Sequence, residues 1–120
     1  MLVSTTERGR VAEKLAANYL EQRGYQVVER NWRNRFAEID IIARHQGVMH
    51  FVEVKYRASS DWGGGLETIT YDKAQRMRRA VYQWSHDQSY GGPMQLDVIS
   101  VSGLLTRPVI EYVPNALGDS

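Results

Sequence analysis

The chain has 120 residues, enough for one modest core but not two. Its 15 Lys and Arg against 14 Asp and Glu give a net charge of +1, which excludes a general polycation. Cysteine is absent, which excludes disulfides and thiolate zinc centres. No apolar run nears the roughly 18 residues of a membrane span, and no secretory signal opens the chain, so a single cytoplasmic domain over 1–120 is expected, with loose ends at 1–4 and 115–120.

Ser4 with Glu7 matches a capping box, and Val11, Leu15 and Tyr19 recur at helical spacing before Gly24, so a helix is predicted from Thr5 to Arg23. Glu13 lies off that stripe, on a small-residue face with Ala16, Ala17 and Leu20. Tyr25 to Arg30 reads as a strand, and Asn31 to Ala37 as a basic loop anchored by Trp32 and Phe36. Glu38 to Arg44 alternates, with Ile39, Ile41 and Ala43 facing one way and Glu38, Asp40 and Ile42 the other. After a turn at Gln46-Gly47, Val48 to Tyr56 is a strand with Phe51, Glu53 and Lys55 on one face. Arg57 to Leu66, rich in Gly and Ser, reads as a mobile loop. A helix from Thr70 to Asp87 follows, with Ala74, Met77, Val81 and Trp84 as its core stripe. Gln95 to Val101 and Val109 to Val113 read as strands joined through Gly103. The order is α-β-β-β-α-β-β, a mixed α/β domain.

Chemistry concentrates in the hairpin. A two-residue turn pairs His45 with Val48. Counting outward from that pair puts Asp40 opposite Glu53 and Glu38 opposite Lys55, with opposed β-carbons roughly 4.5–5.5 Å apart. Two adjacent carboxylates repel unless something neutralises them. A lysine helps, and a hard divalent cation helps more, since magnesium prefers oxygen ligands and can polarise a phosphoryl oxygen. The bland alternative is a surface hairpin with exposed salt bridges, but the apolar neighbours of Asp40 and Glu53 argue for burial, and buried charges are rarely idle. Basic residues cluster over Arg23–Arg35 and Lys73–Arg79. Of these, Arg33, Arg35, Lys73 and Arg76 are the candidates for phosphate contact. His45, His50 and His86 have no metal-ligand spacing and read as ordinary turn, strand and helix residues. Asp97 reads as either a structural carboxylate or a distant helper. Trp62 reads as a loop anchor or a stacking residue.

Asp40, twelve intervening residues and then Glu53-Val54-Lys55 resemble the PD-(D/E)XK signature of restriction-endonuclease-like nucleases. Gly9-Arg10-Val11-Ala12-Glu13, Arg30-Asn31-Trp32-Arg33, Glu38-Ile39-Asp40-Ile41-Ile42-Ala43 and Phe51-Val52-Glu53-Val54-Lys55-Tyr56-Arg57 look like the bacterial YraN-like family of uncharacterised proteins, and Leu96-Asp97-Val98 and Asn115-Ala116 fit its C-terminal part. The resemblance runs from Gly9 to Ala116. It departs at Ala37, where the family usually has glycine, and at Gln95, often basic. It implies a restriction-endonuclease-like αβββαβ core with an extra C-terminal strand, resembling archaeal Holliday junction resolvases. It also implies Glu13 joining Asp40 and Glu53 as metal ligands for Mg2+ or Mn2+, Lys55 as catalytic lysine, and Gln75 as a polar residue facing the site. The leading expectation is a metal-dependent nuclease hydrolysing DNA, rather than RNA, with branched or damaged DNA as candidate substrates and a homodimer compatible with resolvase-like action. The alternative is a non-catalytic nucleic-acid-binding or interaction protein on the same scaffold.

Overall fold

The computed structural model describes residues 5–57 and 70–116. The Ser4 half of the expected capping box, Trp62 and the loop beyond Arg57 lie outside the described residues, as do 1–4 and 117–120. Seven elements follow in chain order: α1 (Thr5–Gln22), β1 (Gln26–Arg33), β2 (Glu38–His45), β3 (Val48–Arg57), α2 (Tyr71–Asp87), β4 (Met94–Leu104) and β5 (Arg107–Val113). The strands form one sheet in the order β1-β2-β3-β4-β5, antiparallel throughout except for the parallel β3–β4 pair that α2 connects. A parallel pair needs such a crossover. The predicted mixed α/β fold, an αβββαβ core with an added C-terminal strand, is therefore the fold of this chain.

Among the described residues, α1 covers one face of the sheet and α2 the other. Ala12, Ala16, Ala17 and Leu20 of α1 bury against Ile41, Ala43, Val52, Ile99 and Val101. Met77, Ala80, Val81 and Trp84 of α2 bury against Ile39, Ile42, Met49, Phe51 and Leu96, with Trp32, Phe36 and Tyr90 packed at the margin. The buried face of α1 is thus its small-residue face, as its suitability for close packing suggests, while Val11 of the spacing-four row is exposed. Alanines let the helix backbone approach the sheet, and longer side chains at Leu15 and Tyr19 fill only the flanks.

The β2–β3 turn fixes the register. Gln46 and Gly47 both take positive φ, 50° and 79°. Positive φ at both central residues is the type I′ geometry that matches strand twist. From His45↔Val48 the pairing runs without a slip to Ile41↔Val52, and there the ladder stops. Beyond it β2 leaves strict alternation, since Ile39 packs with Ile42 under α2 rather than with Ile41. β1 is longer than the expected Tyr25–Arg30 strand, carries a register shift between Val27 and Glu29, and places Asn31 in the left-handed region at φ 55°. β4 and β5 also extend beyond expectation. Gly103 pairs with Pro108 inside the hairpin, and the turn itself lies at 105–106.

A buried polar knot ties β3, β4 and β5 together on the α1 side. Asp97 is fully buried. Its Oδ2 accepts from His50 Nδ1 at 2.7 Å and from the Tyr112 hydroxyl at 2.6 Å, and its Oδ1 accepts from Gln95 Nε2 at 2.9 Å and the Asn115 N–H at 2.8 Å. Tyr25 donates in turn to the Tyr112 oxygen at 3.2 Å and stacks on His45, ring centroids 3.9 Å apart. Burial alone would raise the Asp97 pKa; the donors from His50, Asn115, Tyr112 and Gln95 outweigh it and hold the carboxyl below its ordinary range. Asp97 is therefore a structural carboxylate, and Asn115, expected to begin a loose tail, is pinned to it. A buried acceptor that loses its charge leaves its donors poorly satisfied. Asp97→Asn is expected to cost about 2–4 kcal/mol in urea unfolding. Because the folded-state pKa is depressed, the loss should be full at neutral pH and should fade only as pH drops below the ordinary carboxylate range.

Candidate active site

The acid centre lies where the β2–β3 ladder ends. Asp40 and Glu53 are each 7% exposed. Instead of a further backbone pair, the Val54 N–H of β3 donates to Asp40 Oδ2 at 2.8 Å, so the carboxylate closes the gap left by the diverging strands. Burial raises the Asp40 pKa, and the neighbouring charges of Glu53, Glu13 and Glu38 raise it further, to about 8, against the lowering effect of the Val54 donor. A groove of about 310 Å³ opens onto the pair, walled by Phe36, Ala37, Glu38, Lys73 and Arg76.

Two lysines stand at this pair. Lys73, in the first turn of α2, places Nζ 3.2 Å from Glu53 Oε1. The turn is set by Thr70, whose Oγ1 accepts the Lys73 N–H at 3.1 Å as the helix N-cap. Burial pulls the Lys73 pKa down, but Glu53, the contact with Lys55 and the charge of Asp40 more than reverse this and leave it raised. Lys55 is lowered, first by burial and then by the adjacent Lys73, against the attraction of Glu53 and Asp40. The basic loop before β2 is shaped by Asn34, whose Oδ1 accepts from the Phe36 and Ala37 N–H groups at 2.9 and 3.2 Å, an Asx turn that aims Phe36 at the groove.

A model of the uncharacterised protein family UPF0102 matches residues 12–101. The chain belongs to this family. A UPF0102 protein of Leifsonia xyli subsp. xyli is 44% identical over 112 residues, covering 90% of this chain and 93% of the relative. One from Legionella pneumophila subsp. pneumophila is 41% identical over 114 residues, covering 93% and 95%, and one from Colwellia psychrerythraea is 34% identical over 116 residues, covering 94% and 90%. The YraN-like resemblance read from the motifs is thereby borne out at the level of the family.

In this UPF0102 chain the expected site residues are only partly gathered. Asp40, Glu53 and Lys55 share one centre. Lys73, expected as a phosphate contact, is instead a direct partner of Glu53. Arg76 lines the same groove. Glu38 does not meet Lys55, because the ladder ends before that pair; it takes an exposed contact with Arg33 at 3.5 Å, worth about 0–1 kcal/mol. Glu13 lines an adjoining groove of about 460 Å³ with Gly9, Arg10, Asn31, Arg33 and Glu38. Burial raises its pKa first, then Glu38, with a smaller contribution from Glu53; Arg30 and Asn31 pull the other way. It stands in electrostatic reach of the pair, yet among the described residues no three carboxylates or histidines converge closely enough to hold a metal unaided. Gln75 lies outside the acid groove, engaged with the Tyr71 hydroxyl and Arg78. Arg35 lies over the Phe36 ring at 4.9 Å. Asn31 was missed as a site residue; its left-handed φ inside a strand is a geometry that asparagine favours, but sequence spacing alone gives no sign of it.

A carboxyl whose folded-state pKa exceeds its unfolded value holds its proton more tightly when folded. Its protonated form stabilises the fold at acid pH, and that stability is lost as pH rises toward 8. Asp40→Asn keeps an oxygen acceptor for the Val54 N–H and removes the charge. In urea unfolding with EDTA, the variant is expected to gain on the parent protein as pH rises from 5 to 8, by roughly 2–4 kcal/mol at the upper end.

Proposed function

We propose that this protein is a metal-dependent nuclease that hydrolyses DNA phosphodiester bonds. The observation that carries the reading is the Asp40–Glu53 pair: two buried carboxylates, side by side at an open groove, flanked by Lys55, Lys73 and Arg76. Their all-oxygen, mutually repelling donor set fits Mg2+ or Mn2+ better than a softer ion, and two protein carboxylates with water and substrate phosphate oxygens is a usual magnesium shell. Such an ion, when bound, supplies a more acidic water and polarises the phosphoryl oxygen.

The side chains have distinct parts. Asp40 and Glu53 would hold the ion, and Glu13, on the adjoining wall, would add negative charge to its surroundings. Lys55, its ammonium destabilised by burial and by Lys73, would position the attacking water or meet charge on the phosphate. Water oxygen joins phosphorus, one bridging P–O bond breaks, and the leaving sugar oxygen takes up a proton. Lys73 and Arg76 would hold the non-bridging oxygens, with Lys73 released from Glu53 once that carboxylate has another counter-charge. Arg33 and Arg35, both exposed, would contact flanking phosphates. Branched or damaged DNA remains the candidate substrate, and a homodimer would suit it by presenting two such centres.

One observation favours a second reading. Lys73 already neutralises Glu53, and no third carboxylate closes the site among the described residues. The alternative is a non-catalytic nucleic-acid-binding or interaction protein in which the lysine has taken the cation's place.

Branched, nicked and single-stranded DNA are the substrates to assay with Mg2+ or Mn2+, alongside manganese calorimetry and size-exclusion chromatography. Cleavage lowered about a hundredfold or more by Asp40→Ala and by Glu53→Ala, with manganese binding lost in both, is expected. No cleavage of any substrate, together with DNA binding that is equal in EDTA and manganese, would favour the second reading.

A further inference from the structure

Beyond the acid groove, on the outer side of α2, a second groove of about 360 Å³ is lined by Phe36, Gln75, Arg78, Arg79, Tyr82 and Gln83. Phe36 lines both, so the two grooves are neighbours at this residue. On the other side Glu38 is shared with the groove that holds Arg10, Asn31 and Arg33. The acid groove thus shares one wall residue with each of two flanking grooves, and both of these carry cations.

The α2 end differs from the other in carrying aromatic rings. Tyr82 is 74% exposed, as is Tyr71 at the start of the same helix. Arg35 places its guanidinium over Phe36. Among the described residues, no acidic residue lines this groove. The amide nitrogens on its wall are already engaged, Gln75 with the Tyr71 hydroxyl at 3.0 Å and Gln83 with Asp87 at 2.8 Å. An entering group meets ring faces and guanidinium groups beside these amides. Ring faces next to fixed cations are how proteins hold unpaired bases, since each base offers a face to stack and a phosphate to neutralise. A base inside a duplex keeps both faces covered by its neighbours, whereas each base of a single-stranded segment can unstack and offer one.

We propose that the Phe36–Tyr82 groove holds an unpaired nucleobase of a single-stranded DNA segment beside the acid centre, with Arg78 and Arg79 on its phosphates. The proposal rests on the nuclease reading for the strand's continuation into the acid groove and names the substrate class: DNA with a single-stranded arm. Stacking on a ring is open to every base, so the groove accepts any base.

The test is binding without catalysis. Fluorescence anisotropy in EDTA compares a duplex carrying a short single-stranded overhang with the same duplex blunt-ended, and 2-aminopurine in the overhang reports stacking. The overhang is expected to bind about tenfold tighter than the blunt end, with 2-aminopurine quenched on binding. Tyr82→Ala should remove about that tenfold and the quenching, Tyr82→Phe should keep both, and neither should alter blunt-end binding. Because Tyr82 is so exposed, both variants are expected to fold, with thermal unfolding as the control. Equal affinity for the two ends, an unchanged Tyr82→Ala, or an equal loss on both ends would overturn the proposal. Overhang binding that follows this pattern in a protein without cleavage would instead remove the nuclease reading and leave the groove standing.

Discussion

The register of the β2–β3 hairpin is held from its tip, and the placement of nearly every other group follows from it. Two residues with positive φ close the turn, and the strands then count outward without slippage as far as Ile41 and Val52. Side chains alternate along a strand, so a slip of one residue would send Phe51 and Glu53 to the α1 side and Val52 to the α2 side. The core on both faces would be lost together with the acid centre. Packing and chemistry are thus specified by the same pairing, and the apolar residues that hold the register also hold the carboxylates in place.

That arrangement carries an electrostatic cost. Asp40 and Glu53 are nearly excluded from water and repel each other, while Glu38 and Glu13 add to the unfavourable field. The fold answers with local devices: the Val54 N–H on Asp40, the Lys73 ammonium on Glu53, and the N-terminal end of α2 beside both. Strain of this kind accumulates at sites that bind or react, because removing it would also remove the affinity for a cation or a phosphate. The Asp97 knot on the opposite face makes the contrast plain. There a buried carboxylate receives donors from four residues and its charge is fully accommodated.

What could be read from the sequence was what local spacing controls. The turn, the facing of Phe51, Glu53 and Lys55, and the α2 core stripe all depend on residues close in the chain. The errors have physical sources. For α1, the spacing of Val11, Leu15 and Tyr19 marked the helix but not its buried face, which close approach to the sheet gives to Ala12, Ala16 and Ala17. For β2, regular alternation carried to its end predicted a Glu38–Lys55 pair, but the ladder opens at Asp40 and the rule stops there. The link between His50 and Asp97 spans 47 positions and exists only because β3 and β4 pair in parallel, which no short-range pattern discloses. Glu13 was placed near the site by resemblance, and the structure sets it on the adjoining wall rather than among the two buried acids.

The parallel β3–β4 pair also bears on the order in which the molecule is built. β1, β2 and β3 connect through short turns, as do β4 and β5, and pairings of that kind close quickly. The central seam must wait for the chain between Arg57 and Met94 to cross the sheet. Glu13, Asp40, Glu53 and Lys55 all precede that crossing, whereas Lys73 arrives with it. During synthesis the Asp40–Glu53 pair emerges first, with Lys55 on the same strand, and remains without the Lys73 ammonium until α2 docks. The late half of the chain therefore completes the sheet and, in the same event, relieves the repulsion that the early half has brought together.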